Sequence, residues 1–356
     1  MKVFLVWYMQ AEVMKAVRFH QHGGIEVLKY EEVEDPKPGR NEAVVRVKAC
    51  ALNHLDIWAR NGLPNVRIPL PHISGSDISG TVERVDEEDE ILIKKGMDVI
   101  VSPGISCGRC EKCLSGRDNQ CRSYSIVGYQ TDGGYAEFVK VPVKNLLEKP
   151  QNLNYVEAAS FPLVFLTAYH MLIGKARLEA GEYVLVLGAG SGVGTASIQI
   201  AKLYNAYVIA TAGDEEKLGK AEKLGADFTI NHYKEDVVDR VRSITGRRGV
   251  DVVVEHVGKA TWERSIKACA TGGRIVTCGA TSGPDAVTDL RYIFNREITV
   301  YGSYMGSKAE LMKVLELFKT GKLKPVVDSV FKLSDAPIAQ KRMEESKHFG
   351  KIVLQP

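Results

Sequence analysis

The sequence predicts an α/β protein with two parts, a mostly β part followed by a doubly wound parallel sheet. The length of 356 residues favours two domains, because a single core stops growing at about 250–300 residues. From Met14 to about Pro150, short β-rich runs are broken by glycine and proline, whereas from about Glu182 apolar strands alternate with amphipathic helices. The first pattern indicates antiparallel sheet, and the second indicates crossover helices between parallel strands.

The first half carries three clear strand segments, Ala43–Val47, Gly80–Val85 and Asp98–Val101. Their length and the turn residues between them are typical of a mostly antiparallel barrel or sandwich. The acidic run 86–90 lies between two of these segments and is predicted to be a solvated turn.

The second half begins with Tyr183–Leu187, an apolar run without alternation, as expected of a parallel strand that is buried on both faces. The elements predicted to follow are helix 195–203, strand 207–211, helix 215–224, strand 228–230, helix 236–243, strand 250–254, helix 261–269 and strand 274–278. A helix, a proline-containing segment and a last strand, Lys351–Leu354, complete the chain. This alternation predicts a doubly wound sheet.

Composition excludes several classes of protein. With 47 Lys and Arg against 44 Asp and Glu, the net charge is +3, which is too balanced for a protein that binds nucleic acid by neutralising phosphates. No apolar run approaches the ~20 residues of a membrane-spanning helix, so we expect no membrane partner. Residues 1–13 are predicted to be an extension upstream of Met14, with a short signal-peptide core as the alternative interpretation. We therefore expect a cytoplasmic protein.

A glycine-rich turn, Gly188–Gly194, joins the first parallel strand to the next helix. Small residues let the backbone approach a pyrophosphate, and the helix N-terminus supplies free N–H groups and a positive dipole. The turn departs from a strict G-x-G-x-x-G because Val193 stands at the third glycine position, and a simple tight turn is the alternative. The flanking strand and helix favour a dinucleotide site, with contacts predicted at Gly190, Ser191, Gly192, Val193 and Gly194.

The end of the second parallel strand indicates which dinucleotide binds. An acidic residue there would bind the ribose 2′-hydroxyl and select NAD. The strand instead ends in Ala212 and Gly213, which leave room for a 2′-phosphate, and Lys217 is placed to pair with one. Asp214 acts in the opposite direction. The sequence favours NADP(H) slightly, and NAD(H) stays open.

Four of the seven cysteines, Cys107, Cys110, Cys113 and Cys121, fall within fifteen residues. The spacing C-x2-C-x2-C-x7-C matches a tetrahedral zinc of the structural kind, with no position open for a substrate. Disulfides or an iron site are the alternatives, and a reducing compartment disfavours disulfides. We predict one structural zinc per chain, which braces a polar lobe at about residues 103–125.

These features together resemble the medium-chain dehydrogenase/reductase superfamily. The resemblance rests on the cysteine lobe, the run Gly188–Gly194 and the segment Asp132–Glu137, and it covers nearly the whole chain from Met14. It implies a GroES-like catalytic domain over residues 14–160, a Rossmann domain over 161–300 and a return to the catalytic domain over 301–356. It also implies a homodimer or homotetramer that is joined at the sheet edge Ile298–Tyr301.

Zinc alcohol dehydrogenases of this superfamily hold a second, catalytic zinc through a Cys, the His of a Gly-His-Glu triplet and a later Cys. This sequence has Asn53, Ser76 and Leu163 at those positions. Asp77 and His54 remain nearby, but they are fewer than the three protein ligands that a catalytic zinc needs. The resemblance therefore implies that the catalytic zinc is absent and that His54 is a packed or surface residue.

The segment Ala51–Trp58 resembles instead the zinc-independent quinone oxidoreductase branch, although the cysteine lobe is a departure from that branch. The resemblance places Asn53 near the nicotinamide ribose or the substrate oxygen, with Asp56 beside it and Thr167 at the nicotinamide end. A purely structural role for Asp56, in which it holds Asn53, is the alternative. Further cofactor contacts are predicted past the ends of sheet strands, at His232, Val257, Cys278 and Gly279.

The missing Lewis acid decides which reaction is expected. Without it an alcohol has no ready way to lose its proton, whereas a quinone or enone accepts hydride directly. The sequence therefore predicts NAD(P)H-dependent reduction of a small activated carbonyl compound, such as a quinone, an enone or an aldehyde. Two alternatives stay open: an NAD(P)-dependent alcohol dehydrogenase with a degenerate zinc site at Asp77 and His54, and a non-catalytic NADPH-binding protein.

Overall fold

The structure is a computed structural model that describes residues 12–64, 66–86 and 93–356. Two of the predictions concern residues that lie mostly outside these ranges. Of the upstream extension, residues 1–11 lie outside the described residues, and of the acidic run only Asp86 is described. Sheet pairing begins at Val13, one residue before the predicted start, where Val13 pairs with Glu34.

The first half is built of short strands and small helices. Its strands are β1 (Val13–Phe19), β2 (Lys29–Glu34), β3 (Glu42–Ala51), β4 (His72–Ile73), β5 (Asp77–Val85), β6 (Asp98–Val101), β7 (Gly104–Ile105), β8 (Ser125–Ile126), β9 (Phe138–Pro142) and β10 (Leu146–Glu148). Its helices are α1 (His54–Asn61), α2 (Glu111–Leu114), α3 (Tyr155–Ala159) and α4 (Pro162–Tyr169), which continues into a π-helical turn, His170–Lys175.

The second half alternates strands with helices, as predicted. In chain order it contains β11 (Tyr183–Val186), α5 (Gly192–Leu203), β12 (Tyr207–Ala212), α6 (Glu215–Lys223), β13 (Phe228–Asn231), α7 (Val237–Ile244), β14 (Val250–Glu255), α8 (Trp262–Ala268), β15 (Cys269–Thr277), α9 (Leu290–Asn295), β16 (Thr299–Gly302), α10 (Lys308–Lys319), β17 (Val327–Lys332), α11 (Ala336–Glu344) and β18 (Lys351–Gln355). Across the described ranges, no helix is long and apolar enough to cross a membrane.

Six strands form one parallel sheet, in the order β13-β12-β11-β14-β15-β16. Val184 and Val186 of β11 enter the core on one face, and Leu185 between them enters the core on the other. Both faces are therefore covered, which explains the continuous apolar run and confirms the predicted doubly wound sheet. The strand order reverses between β11 and β14, so a crevice opens at the carboxyl ends of these strands.

The first half forms a mostly antiparallel sheet of seven strands, ordered β10-β6-β5-β3-β18-β17, with β9 also pairing with β3. A second sheet contains three strands in the order β2-β1-β4. Side chains of both sheets, among them Phe19, Val45 and Ile78, share one apolar core. The β-rich part predicted from the sequence is therefore a pair of packed sheets.

The last strands of the chain return to the antiparallel sheet, where β18 pairs with the end of β3. Lys351, the first residue of β18, thereby lies beside the loop that follows β3. The return begins later than residue 301. Helix α10 still packs with the parallel sheet, because Phe318 stacks on Phe161 with 4.1 Å between ring centroids. The chain rejoins the antiparallel sheet at β17.

Candidate active site

Two adjoining cavities lie in the crevice between the antiparallel and parallel sheets. The first cavity is mostly apolar and takes its wall from both halves of the chain. The second cavity follows the glycine turn to the tip of β12. Five residues line both cavities: His54, Ser191, His256, Thr281 and His348. The two cavities therefore adjoin at these residues, so a long ligand has room to occupy both.

The start of α5 shapes the glycine turn. Ser191 is the N-cap residue, and its hydroxyl oxygen accepts a hydrogen bond from the backbone N–H of Gly194 at 2.8 Å. Helix α5 therefore begins three residues before the predicted start at Thr195. A side chain on Gly194 would meet the carbonyl oxygen of Gly188 at 2.4 Å, so the close approach of strand and helix needs glycine there. The turn presents a helix N-terminus to the second cavity, an arrangement that binds pyrophosphate.

Most of the predicted cofactor-binding residues line these cavities. The second cavity includes Gly190, Ser191, Ala212, Gly213, Lys217, His232 and Val257. The first cavity includes Asn53, Thr167, Ser191, Gly192, Val193, Cys278 and Gly279. Gly194 lines neither of these two cavities and serves the contact between strand and helix.

The surroundings of His348 and Gly190 indicate whether a dinucleotide fits the second cavity. Burial lowers the pKa of His348 to about 4, so its imidazole is neutral at pH 7. Its Nδ1 is buried and finds no hydrogen-bond partner among the described residues. A ligand in the cavity would supply that partner, which matters because an unpaired buried polar atom is costly. A side chain on Gly190, in the wall of the same cavity, would lie 3.2 Å from the carbonyl oxygen of His348. Both observations fit a dinucleotide.

The tip of β12 brings Lys217 beside the two small residues Ala212 and Gly213. Asp214 is the N-cap residue of α6, and its Oδ1 accepts from the backbone N–H of Lys217 at 2.9 Å. The Lys217 Nζ donates to the carbonyl oxygen of Ser346 and lies 3.6 Å from Oδ2 of Asp214. A 2′-phosphate at this tip would compete with those two partners. The preference for NADP(H) therefore stays a prediction.

Asn53 is the N-cap residue of α1 and lies in the wall of the first cavity. Its side-chain Nδ2 donates to Oδ2 of Asp77 at 3.0 Å, and its Oδ1 accepts from the ammonium of Lys351 at 2.6 Å. An ammonium only donates and a carboxylate only accepts. The amide is therefore held in one orientation.

Asp56 is fully buried and does not line the first cavity. Its carboxylate accepts hydrogen bonds from the backbone N–H groups of Asn53 and Gly75 and from the hydroxyl of Tyr135. Burial raises the pKa of Asp56 to about 6, although these donors favour the anion. The structure thus places Asp56 in a supporting position behind Asn53, as in the second of the two interpretations given above.

Asp77 and Lys351 form a buried ion pair beside the first cavity. The Lys351 Nζ lies 3.0 Å from Oδ2 of Asp77, and both side chains are almost inaccessible to solvent. The other oxygen of Asp77 accepts from the backbone N–H of Leu163 at 2.8 Å. The pair therefore joins β5, the loop after β3, α4 and β18.

Among the described residues, the side chains at the positions that the resemblance assigns to a catalytic zinc are not grouped as metal ligands. Asn53 and Asp77 are bound to the Lys351 ammonium, and Leu163 has no side-chain donor atom. The hydroxyl of Ser76 is buried and has no partner within the described part of the chain. These positions therefore supply fewer than the three protein ligands that a catalytic zinc needs. The Lys351 ammonium already lies between Asn53 and Asp77.

Cys107, Cys110, Cys113 and Cys121 come together in one lobe, with their sulfur atoms within 4.8 Å of one another. In the described ranges this is the one group of three or more His, Cys, Asp or Glu side chains that is placed to hold a metal. The Sγ–Sγ distances of 3.5 Å and 3.9 Å that Cys113 makes with Cys110 and Cys107 are too long for a disulfide. They match sulfur atoms at about 2.3 Å from one zinc ion, so the four residues fit a structural zinc.

The cysteine lobe reaches the first cavity through Tyr304. The side-chain Nδ2 of Asn119 donates to the carbonyl oxygen of Tyr304 at 3.1 Å, and Tyr304 lines the cavity. Oδ1 of Asp118 also accepts from the backbone N–H of Lys308, the first residue of α10, at 2.9 Å. The lobe thus supports one wall of the cavity without lining it.

Sequence reasoning missed two residues of the site. Lys351 and His348 were not predicted, because the chain reaches them about 300 residues after Asn53 and only the return of β18 brings them back. A lysine opening an apolar last strand was the one available signal. His54 was predicted to be packed or on the surface, and the structure places it half-buried in the wall of both cavities.

Comparison with known families gives two matching regions. Residues 39–151 match the alcohol dehydrogenase GroES-like domain, and residues 192–320 match the zinc-binding dehydrogenase family. Each region falls in one half of the chain. These matches confirm the two-part organisation as a known combination of domains.

Individual relatives cover nearly the whole chain. A NAD-dependent alcohol dehydrogenase of Saccharolobus solfataricus is 34% identical over 352 residues, which are 96% of this chain and 100% of that protein. A quinone oxidoreductase of Homo sapiens is 28% identical over 351 residues, which are 96% of this chain and 98% of that protein. A crystal structure of a NAD-dependent alcohol dehydrogenase superimposes with a TM-score of 0.92 at 46% identity, over 96% of this chain and 100% of that chain.

Proposed function

Because this chain belongs to the medium-chain dehydrogenase/reductase superfamily and is one of its oxidoreductases, we propose that it reduces a small activated carbonyl compound with NAD(P)H and without a catalytic zinc. Quinones, enones and aldehydes are the proposed acceptors. The relatives include both alcohol dehydrogenases and quinone oxidoreductases, so family membership alone leaves the acceptor open.

The observation that carries the proposal is the Lys351 ammonium between Asn53 and Asp77. In a zinc alcohol dehydrogenase, the Lewis acid lowers the pKa of the alcohol. The side chains at these positions offer hydrogen bonds instead of metal ligands. Hydrogen bonds suffice for reduction of an activated carbonyl, because only the oxygen that gains negative charge has to be stabilised.

The glycine turn and the ends of the parallel strands would hold the cofactor. A bound dihydronicotinamide supplies a hydride, which brings two electrons to the acceptor carbon. Ser191, Gly192 and Val193 lie at the start of α5, and Gly279 lies past the end of β15, all in the wall of the first cavity. Thr167 lines the same cavity, and its hydroxyl donates to the carbonyl oxygen of Leu163.

Asn53 is the proposed donor to the acceptor oxygen. One Nδ2 proton binds Asp77, and the other meets the carbonyl oxygen of Ala51 at 3.5 Å, a length at which a hydrogen bond is weak. When the acceptor carbon gains the hydride, the carbonyl π electrons move to oxygen, and this second N–H stabilises the oxyanion until it takes a proton from water. The apolar wall, which includes Trp58 and Met305, suits an uncharged acceptor.

A panel of quinones, enones, aldehydes and alcohols, assayed with both cofactors, tests the proposal. We expect at least one quinone, enone or aldehyde to oxidise NADPH or NADH, and we expect one zinc per chain by metal analysis. Two zinc ions per chain, with alcohol oxidation that is lost on chelation, would contradict the proposal and support the alcohol dehydrogenase alternative. Absence of turnover with every acceptor would also contradict it.

Asn53→Ala tests the role given to the amide. We expect kcat for the acceptor to fall about 100-fold, because an oxyanion donor is lost, while the Kd for the cofactor changes less than about 2-fold. Stopped-flow turnover and cofactor fluorescence titration measure the two quantities. Asn61→Ala, at the exposed end of the same helix, is the matched control. Unchanged kinetics in Asn53→Ala would remove the amide from the site.

A further inference from the structure

Lys351 reaches the first cavity from the return strand and is only 3% exposed. Its Nζ donates to the carbonyl oxygen of Leu52 at 2.6 Å, to Oδ1 of Asn53 at 2.6 Å and to Oδ2 of Asp77 at 3.0 Å. An ammonium has three N–H donors, so all of them are used. Lys351 therefore has no N–H left to donate directly to an acceptor molecule, and any effect on it would pass through a neighbour.

That neighbour is Asn53, whose amide is fixed at both ends. Lys351 holds the amide oxygen, and Asp77 holds one of the two protons on the nitrogen. A rotated amide would set its N–H groups against an ammonium and its oxygen against a carboxylate, so this arrangement excludes it. What remains is the second Nδ2 proton, which meets only the carbonyl oxygen of Ala51, at 3.5 Å, on a residue that lines the cavity.

Building on the proposed function, we propose that Lys351 is a positioning residue that orients the Asn53 amide toward the acceptor oxygen. Lys351 lies among the residues that occupy the catalytic zinc positions. In place of a Lewis acid, it fixes the hydrogen-bond donor of its neighbour Asn53. Without the ammonium, the amide oxygen loses its partner and the amide is free to rotate. A misaligned donor loses most of its effect on the oxyanion.

A structural role is the competing explanation. Lys351 also balances the buried charge of Asp77, and a buried carboxylate that loses its partner destabilises the fold strongly. Lys351→Met alone therefore does not separate the two roles. The double variant Lys351→Met/Asp77→Asn removes both charges, and the oxygen of the new amide can still accept from the backbone N–H of Leu163, as Asp77 does.

The experiment compares the wild type, both single variants, the double variant and Lys324→Met, an exposed lysine on the same half of the chain that serves as the control. The readouts are melting temperature, the Kd for NADPH by fluorescence titration, and kcat and KM for the best acceptor of the panel. We expect the double variant to melt close to the wild type and to bind NADPH within about 2-fold, with kcat lowered about 100-fold.

The outcomes distinguish this inference from the proposed function. If the double variant melts like the wild type and recovers its kcat, Lys351 only balances charge and the inference is overturned. If the wild type reduces no acceptor at all, the proposed function itself fails, and the inference fails with it. If kcat falls and the Kd for NADPH rises in the double variant, Lys351 supports the cofactor site and the inference is also overturned.

Discussion

At the scale of single residues, Lys217 is the test of cofactor choice. Its ammonium binds the carbonyl oxygen of Ser346 and lies near Asp214, beside the small tip of β12. If it binds the 2′-phosphate of NADPH, Lys217→Ala should weaken NADPH binding about 10-fold, because a charge-assisted hydrogen bond is lost. Binding of NADH, which has no such phosphate, should change less than about 2-fold. Kd values for both cofactors, from fluorescence titration, give the answer.

The matched control is Lys220→Ala. Lys220 lines the same cavity but pairs with Glu216 at 2.6 Å, one helical turn earlier. We expect it to leave both affinities nearly unchanged. If Lys217→Ala weakens the binding of NADPH and NADH equally, Lys217 holds the segment at Ser346 and does not bind the 2′-phosphate.

The raised pKa of the Asp56 carboxyl group leads to a prediction of how the activity depends on pH. Its pKa is raised to about 6 by burial, and its anion accepts from the backbone of Asn53 and from the hydroxyl of Tyr135 at the same oxygen. Protonation as the pH falls through 6 adds a donor there and displaces one of these partners, which loosens Asn53. We therefore expect kcat to fall on the acid side with an apparent pKa near 6, measured as a pH profile with the best acceptor.

Tyr135→Phe tests this assignment through the direction in which the acid limb of the pH profile moves. The Tyr135 hydroxyl stabilises the Asp56 anion, so its removal should raise the pKa and move the acid limb upward by about 0.5–1 pH unit. The charged group that stabilises the anion, Lys351, stays in place. Tyr155→Phe, which removes a hydroxyl from the distant carboxylate of Asp98, should leave the profile unchanged. An acid limb that moves downward in Tyr135→Phe would contradict the assignment.

The site residues that could be predicted from the sequence are those whose function follows from their spacing along the chain. The four cysteines and the glycines of the turn lie close together along the chain, so their chemistry is visible before folding. Lys351 and Asn53 are 298 residues apart, and the pairing of β18 with β3 brings them together. No local pattern contains such a contact, which explains why the absent zinc ligands were predicted and the cation among them was not.

At the scale of elements, we expect the cysteine lobe to depend on the zinc predicted there. Helix α2 buries none of its residues, and Leu114 at its end is 76% exposed, so the lobe has little apolar packing. Loss of zinc should therefore disorder the lobe and release its contact with Tyr304. We expect Cys113→Ser to bind less than one zinc per chain, to melt at a lower temperature and to raise the KM for the acceptor several-fold.

Leu114→Ser is the control for this prediction, since it lies in the lobe without being a ligand. It should keep one zinc per chain and the wild-type KM. Inductively coupled plasma analysis, thermal melts and steady-state kinetics measure the three effects. A variant that lacks zinc but keeps the wild-type KM would show that the lobe is uncoupled from the cavity.

The elements themselves were predicted best where burial leaves a simple pattern. β11 is covered on both faces, so its apolar run is unbroken and its bounds are nearly those predicted. The predicted return at residue 301 was too early, because α10 packs through Val314 and Phe318 on the parallel-sheet side before the chain crosses back. Which sheet an amphipathic helix covers depends on the tertiary fold, and the sequence pattern is the same in either case.

At the scale of the whole molecule, the edge strand β16 has a neighbour on only one side within the described part of the chain. β16 is the last strand of the sheet, and Val300 on it is 41% exposed. The segment before it carries Val287, Leu290 and Phe294, which are 89%, 67% and 66% exposed. Exposed apolar side chains next to an unpaired strand edge are typical of an interface, because a free edge tends to pair with another chain.

We expect two copies of the chain to pair through β16, since edges related by a two-fold axis pair antiparallel and join two six-stranded sheets into one. Phe294→Asp should then convert the assembly to monomers, because a charge would be buried at the interface. Light scattering coupled to size-exclusion chromatography measures the mass of each species. Ile338→Asp, at an apolar residue that is 59% exposed on α11, is the control and should keep the wild-type mass. A wild type that is monomeric at all concentrations, or a Phe294→Asp variant that stays assembled, would exclude this edge as the interface.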